Sequence, residues 1–345
     1  MAHAKSMGIA GAGLLGRLLA WQLSRAGHAV TVFDPADDAV ARFDGQGAAG
    51  FTAAGMLSPL AELDNATSDI AVRGLRSVGL WRDIVRQLPG PPHFAERGSL
   101  MLAHRADKGS AERVLARLRN HEVAGLMPAE TLDAAALAAL EPALAGVAHA
   151  WLLPGEAQID AVAAMAALHD GAAGVRWCWQ RRVTDLEPGA LYVEGLGWQR
   201  FDTVFDVRGL GARPALPVRG VRGETVWLHA PGLGLTRPVR LLHPRHRVYV
   251  VPRPGDVVIV GASEIESEDR SPVSLQSAVE LMAAAHSVLP ALAEARILRL
   301  DRNLRPALPD HAPVVEVRDG LVRINGLFRH GWLLAPALVE EALAA

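Results

Sequence analysis

Cysteine is nearly absent: Cys178 is the only one among 345 residues. A single thiol can form no intramolecular disulfide and no cysteine metal cluster. Set between Trp177 and Trp179 in an apolar stretch, it reads as a buried core thiol, with no local support for covalent attachment of a cofactor. Net charge is also scarce. The 35 Lys and Arg against 37 Asp and Glu leave −2, so no electrostatic footprint points to nucleic acid or to an anionic membrane surface. A small-molecule substrate is the expected partner. No apolar run reaches the ~20 residues that cross a bilayer. The stretch Met7 to Leu15 is broken by glycines placed for another purpose and is followed by Arg17, unlike a secretory signal. A soluble, cytoplasmic protein is expected. His243, His246, His311 and His330 show no metal-ligand spacing, so no metal is expected, and His330 alone merits inspection. Repeats and low-complexity linkers are missing too.

What is present starts at residue 7. Met7 to Asp34 reads as a dinucleotide-binding βαβ unit: an apolar strand ending near Ala10, a helix opening at the glycines and running to Arg25, and a strand from Ala29 to Phe33. Gly11 makes the tight turn, Gly13 lets a pyrophosphate approach the backbone, and Gly16 lets helix and strand pack closely. Ala12, Leu14 and Leu15 complete the turn, and the helix N-terminus offers unpaired N–H groups to the phosphates. Asp34 is placed to accept hydrogen bonds from ribose hydroxyls, and it would repel a 2′-phosphate. NAD and FAD both bind through such a unit, which leaves that choice open.

The chain is long enough for about two domains with buried cores. The small-residue segment Gly47 to Pro59 suits a second close cofactor contact. Helices are expected from Ile70 to Leu88, Ser110 to Leu118, within Ala129 to Ala143, and up to His169, with a strand from Gly98 to Ala103. Val175 to Trp179, Leu191 to Glu194 and Thr203 to Val207 read as strands rejoining the nucleotide domain. Val218 to His229, Arg240 to Pro252 and Asp256 to Ser263 form a strand-rich block suited to an antiparallel sheet. A helix from Val273 to Val288, strands Ile297 to Leu300 and Leu321 to Asn325, and a helix from Pro336 to Leu343 follow. Nucleotide-domain elements thus fall at the start, middle and end of the chain, a discontinuity that leans toward a flavoprotein.

Several segments, in order, resemble the D-amino-acid oxidase family of flavoenzymes, and within it the glycine oxidases of thiamine biosynthesis. They are the N-terminal fingerprint with Asp34, Thr52-Ala53-Ala54-Gly55-Met56-Leu57, Arg97-Gly98-Ser99-Leu100, Leu140-Glu141-Pro142-Ala143-Leu144 and Gln158-Ile159-Asp160. Pro217 to Glu224, Val248 to Arg253, Val260 to Ser263, Leu304-Arg305-Pro306 with Pro309-Asp310, and Arg329 to Pro336 continue the likeness. The resemblance implies an α/β (overall α+β) fold: a Rossmann-like FAD-binding domain and a discontinuous second domain on an antiparallel sheet. It assigns residues 1–75, 145–215 and 300–345 to the first, and 76–144 and 216–299 to the second. Non-covalent FAD is the implied cofactor. It would be held by the glycine turn and Asp34, by Thr52 to Met56, by Val183 and Gly211, and by Arg329 to Leu333. Two stretches depart from the family: Val207 to Arg213 replaces a small alanine-rich segment, and Leu327-Phe328-Arg329-His330-Gly331 stands where His-Tyr-Arg-Asn-Gly is usual.

By the same resemblance, Arg305 would bind a substrate carboxylate and Tyr249, one of two tyrosines, would share it. Arg329 would place a fixed positive charge near the flavin, and Met56 would lie against the flavin and pocket wall. The implied activity is oxidation of glycine or another small amino acid to its imino acid, with O2 reduced to H2O2. Two alternatives stay open: an FAD-dependent dehydrogenase of a secondary amine or D-amino acid, and a non-catalytic flavin-binding protein. A homo-oligomer fits the resemblance as well.

Overall fold

In the computed structural model, which describes residues 4–243 and 247–345, the dinucleotide unit folds as its pattern requires. Strand Ser6–Ala10 is buried from Met7 onward, and helix Leu14–Arg25 turns Leu14, Leu18, Leu19 and Leu23 inward at helical spacing. Strand Ala29–Asp34 returns in parallel register, Met7 opposite Val30. These strands are central to a six-stranded sheet ordered Val314–Arg318, Leu321–Asn325, Thr203–Asp206, Ser6–Ala10, Ala29–Asp34, Arg176–Trp179. All neighbours pair in parallel except the first two. The carboxyl ends of the central strands therefore bring Gly11, Asp34 and Val207 together. Ligands of open α/β sheets sit there, where strand order reverses.

Helices Leu14–Arg25, Ser68–Gln87, Ala161–Asp170 and Gly331–Ala344 share the apolar core of this sheet. Trp81 is fully buried, stacks on Trp332 at 5.2 Å and donates its indole N–H to the Trp332 carbonyl at 2.8 Å. Burying such a side chain stabilises by roughly 3 kcal/mol, and the hydrogen bond removes the cost of its polar atom.

The second sheet has eight strands, ordered Arg296–Ala307, Arg219–His229, Val257–Gly261, Arg247–Arg253, Val239–Leu242, Ser99–Ala103, His149–Leu153, Glu130–Leu132. It is antiparallel apart from the pairing of Val239–Leu242 with Ser99–Ala103. Its alternating apolar positions, among them Val226, Leu228, Val248, Val250, Val258 and Val260, pack under helix Leu275–Val288. A short sheet with Ala157–Ile159 between Met56–Leu57 and Phe94–Ala95 lies beside the small-residue segment.

Several elements differ from the sequence expectation. Leu191 to Glu194 joins the nucleotide domain by packing rather than by pairing: Ala190–Val193 is the middle of a three-stranded meander with Val183–Glu187 and Gly197–Arg200, and Leu191 and Val193 pack on Ala10, Phe33, Val204 and Leu321 of the six-stranded sheet. Glycine turns at Gly189 and Gly195 close these strands on one another before they can pair with the parallel sheet. The strand expected at Ile297 to Leu300 extends from Arg296 to Ala307, because its charged half is paired along Arg219–His229. The last helix opens at Gly331 and carries Pro336 within it. Strand His149–Leu153 belongs to the eight-stranded sheet, and helix Ser68–Gln87 packs in the core of the six-stranded one, so both cross the expected domain division. Cys178 is half-buried rather than buried. His246 lies outside the described residues. Among the described residues no cluster of His, Cys, Asp or Glu could hold a metal, and no helix is long and apolar enough to cross a membrane.

Candidate active site

One cavity of about 1560 Å³ runs from the carboxyl ends of the parallel strands to the face of the eight-stranded sheet. It brings together Gly11, Ala12, Gly13, Leu14, Leu15, Asp34, Thr52, Ala53, Ala54, Gly55, Met56, Val183, Gly211, Tyr249, Arg305, Arg329, His330, Gly331, Trp332 and Leu333. Gly16 is the predicted residue outside the lining. It acts from behind: a Cβ there would overlap the Gly11 carbonyl oxygen.

At the nucleotide end the groups on offer are mostly backbone. Gly11 has φ +106°, the left-handed region that favours glycine, and donates its N–H to Phe33 O at 2.8 Å. No side chain caps helix Leu14–Arg25, whose amino end opens on the cavity with its first N–H groups and partial positive charge. Asp34 accepts the Ala12 N–H at 2.6 Å and the Ala36 N–H at 2.8 Å, one on each carboxylate oxygen, and each oxygen keeps a further lone pair. Arg17 was read only as a break in an apolar run, but it is buried and donates to the carbonyls of Ala12, Met165 and Ala39. Burial lowers its pKa to about 10. Arg208, in the stretch that departs from the family, binds Asp206 through Nε at 2.9 Å and Nη2 at 2.8 Å and donates Nη1 to the Val183 carbonyl at 2.9 Å. The departing stretch thus holds the strand that carries Val183.

Ala53 to Met56 forms the cavity wall between the two ends, backed by Arg253. That buried guanidinium binds the carbonyls of Ala54, Ile159 and Pro252 and the Gln158 amide oxygen, with its pKa lowered by burial to about 10. A second helix points its amino end into the cavity: Gly331–Ala344 has no side-chain cap, and Trp332 fixes it by donating to Gly50 O at 3.0 Å.

At the far end Arg305 projects from the long strand across Gly223, where any Cβ would collide with its guanidinium. It donates Nη2 to Ser263 O at 3.0 Å and Nη1 to Arg222 O at 3.4 Å. A buried relay sets these carbonyls: Arg222 binds Glu224 at 2.6 Å, and the Ser263 hydroxyl donates to Glu224 at 3.0 Å. Burial draws the Arg305 pKa down and pushes that of Tyr249 up, with the charge of each group acting on the other. Tyr249 pairs with Gly261 across the strands, and a Cβ at Gly261 would lie 2.6 Å from its hydroxyl. Both glycines are therefore part of the site. They stood in quoted motifs without a role, because only the strand register shows what they face.

The sequence reading missed a carboxylate. Glu62 ends the short helix Pro59–Glu62 and accepts Arg329 Nη2 at 2.9 Å and Arg240 Nη2 at 3.3 Å. His330 Nδ1, buried and without a hydrogen-bond partner, lies 3.4 Å from the same group. Burial works against ionisation of Glu62, but His330, Arg240 and Arg329 outweigh it and bring its pKa to about 2. Burial also lowers the pKa of His330. Arg329 is thus neither free nor alone: it is ion-paired with Glu62 and lies 3.6 Å from Glu264.

A dinucleotide turn sharing one cavity with a half-buried, carbonyl-held arginine on an antiparallel sheet points to the class of nucleotide-cofactor-dependent enzymes with an anionic substrate, built on two sheets. The comparisons with known proteins agree. The family model DAO, FAD dependent oxidoreductase, matches residues 7–344, and the chain belongs to that family. It is 39% identical over 333 residues to a Rhizobium etli protein named as a thiamine biosynthesis oxidoreductase, ThiO, covering 96% of this chain and 93% of the relative. It is 27% identical over 361 residues to the glycine oxidase of Geobacillus kaustophilus, covering 97% and 91%. The crystal structure of glycine oxidase from that organism superposes with a TM-score of 0.82 at 25% identity, over 99% of this chain and 94% of the other. An iminodiacetate oxidase from Chelativorans shares the fold, with a TM-score of 0.82 at 23% identity over 97% and 94%. The protein is thus an FAD-dependent oxidoreductase of the glycine oxidase and ThiO type acting on CH–NH donors. The cavity fits such a cofactor: it is elongated, open to two uncapped helix ends, and walled between them by small residues.

Proposed function

We propose that this protein oxidises glycine or a small N-substituted glycine to the corresponding imino acid, with O2 as electron acceptor and H2O2 as second product. The observation that carries the reading is Arg305. Its guanidinium reaches the cavity wall held by two backbone carbonyls, and none of the ion pairs among the described residues includes it. A half-buried arginine oriented this way is built for a ligand carboxylate, which it can grip through two parallel charge-assisted bonds.

The roles of the other residues follow from position. Gly11 to Leu15 would receive the pyrophosphate, Asp34 the ribose, and the Val183 and Gly211 segments the adenine end. Thr52 to Met56 and Arg329 to Leu333 would flank the ring system, held without a covalent bond. When bound, FAD supplies the two-electron acceptor for the hydride leaving the substrate α-carbon. The protein contributes orientation and charge. Arg305 and the Tyr249 hydroxyl fix the carboxylate, so the α-carbon keeps one position toward the cavity wall. The amino end of helix Gly331–Ala344 offers fixed positive potential where negative charge accumulates on reduction, while Arg329 beside it is held by Glu62. Small residues at Ala53, Ala54 and Gly55 let the substrate and the ring approach closely.

The test is anaerobic mixing of the purified yellow protein with glycine, sarcosine and D-amino acids while flavin absorbance is followed. Bleaching by glycine or sarcosine, then recolouring in air with one H2O2 per turnover, is expected. Bleaching without recolouring in air would point to a dehydrogenase with another acceptor, and no bleaching by any amine would overturn the amine reading.

A further inference from the structure

The substrate end of the cavity holds the guanidiniums of Arg305, Arg329 and Arg240 and the carboxylates of Glu62 and Glu264. The pairing is unequal. Arg329 and Arg240 converge on the two oxygens of Glu62, and Arg329 also lies 3.6 Å from Glu264. Arg305 donates to the carbonyls of Ser263 and Arg222, which orient a guanidinium without cancelling its charge, and among the described residues it forms no ion pair; Glu264 acts on it from beyond ion-pair distance. His330 faces Glu62, Glu264, Arg329 and Arg240, and burial favours its neutral form. Tyr249, facing Arg305, Arg240, Arg253 and Glu62, is likewise held neutral by burial. The group therefore carries one more positive than negative charge. For a substrate whose amine is bound in the neutral form that hydride loss requires, one carboxylate balances it, whereas a second anionic group would enter a half-buried site with no unpaired cation to meet it.

Glu62 cannot easily turn aside. Its short helix is pinned from below by the fully buried Glu156, which accepts the Ala61 N–H at 2.8 Å and the Ser99 hydroxyl at 2.5 Å. We infer that Glu62 determines how many anionic groups the pocket accepts: by occupying Arg329 and Arg240 it leaves Arg305 as the open anion site, so that amines with one carboxylate are taken and those with a second anionic group on the nitrogen arm are rejected. This deepens the proposed function and rests on its reading of Arg305.

The experiment compares sarcosine with iminodiacetate, which share the glycine unit and differ by a carboxylate on the nitrogen substituent. It uses the flavin-loaded wild type, Glu62→Gln, Arg240→Gln and the double variant. Glu62→Gln removes one negative charge, leaving Arg240 unpaired and Arg329 with Glu264 alone, and should raise the iminodiacetate to sarcosine ratio of kcat/KM by about tenfold. The double variant restores the charge balance and should return the ratio toward the wild-type value. Arg240→Gln alone should lower the ratio, and it decides the matter if Glu62→Gln does not retain flavin. Dissociation constants of malonate and glycolate, read from perturbation of the flavin spectrum, should move in the same order without turnover. Ratios that do not move with the charge count overturn the role of Glu62. A wild type bleached by neither amine and perturbed by neither acid overturns the reading of Arg305 along with it.

Discussion

The two ends of the cavity are built on opposite plans. The nucleotide end is almost contiguous in sequence, Gly11 to Gly16 with Asp34, and works through backbone groups that a tight turn exposes. The substrate end gathers Glu62, Arg240, Tyr249, Ser263, Arg305 and Arg329 from distant segments and works through side-chain charge. A backbone site is broken by adding atoms. A charge site is broken by changing the balance among atoms already there.

Gly16→Ala should have the largest effect, because its Cβ overlaps the Gly11 carbonyl and forces the turn itself to move. A loss of about 3 kcal/mol in unfolding free energy, together with loss of bound flavin, is expected from denaturant titration and absorbance. Gly13→Val sharpens the contrast. A Cβ at Gly13 meets only the Ala48 side chain, at 3.8 Å, so the protein has room for it and the phosphates would not. The purified variant should be colourless yet melt within about 0.5 kcal/mol of the wild-type apoprotein. A yellow Gly13→Val protein would mean that the pyrophosphate lies elsewhere.

Next in size is Arg305→Ala at the charge end. Removing the carboxylate partner should lower kcat/KM for the best amine by about a hundredfold or more, while flavin content stays at the wild-type level. Unchanged flavin reduction by every amine would show that the clamp is not Arg305.

The same contrast explains what could be read from the chain. A turn that needs φ +106° at Gly11 and no side chain at Gly16 leaves its mark in the residue types themselves, and the helix and strand around it carry apolar periodicity. Arg305 and Tyr249 were reachable only through resemblance, since nothing local distinguishes a strand arginine that grips a ligand from one that pairs on the surface. Glu62 was not reachable at all. It sits among Pro59, Leu60 and Ala61 without a motif, and its partners are 178 and 267 residues away. The parallel sheet was legible from short continuous apolar runs around the βαβ unit, and the antiparallel sheet from alternation. The strand at Ala190–Val193 packs on the nucleotide domain, but its pairing in a separate meander was hidden because a short apolar strand does not reveal which sheet it joins.

The smallest expected effect compares two carboxylates that serve the same short helix, Glu62 half-buried and Glu156 fully buried. Glu62 resists the effect of burial because His330, Arg240 and Arg329 surround it, and its pKa is about 2, below its ordinary 4.5. Its contribution to stability is therefore complete above pH 4.5 and is lost as pH falls toward 2. Glu156 is bound by a hydroxyl and an amide N–H, and burial raises its pKa above 4.5 in spite of them and of Arg240. Its contribution has the opposite sign of slope: it is complete below 4.5 and is lost as pH rises through the raised value. Urea unfolding across pH should thus show Glu62→Gln flattening the acid limb and Glu156→Gln flattening the limb above it. Equal slopes in both variants would mean that the cationic groups around Glu62, His330 with Arg240 and Arg329, do not reach it in solution, and the placement of Glu62 on which the inferred charge balance rests would fail with them.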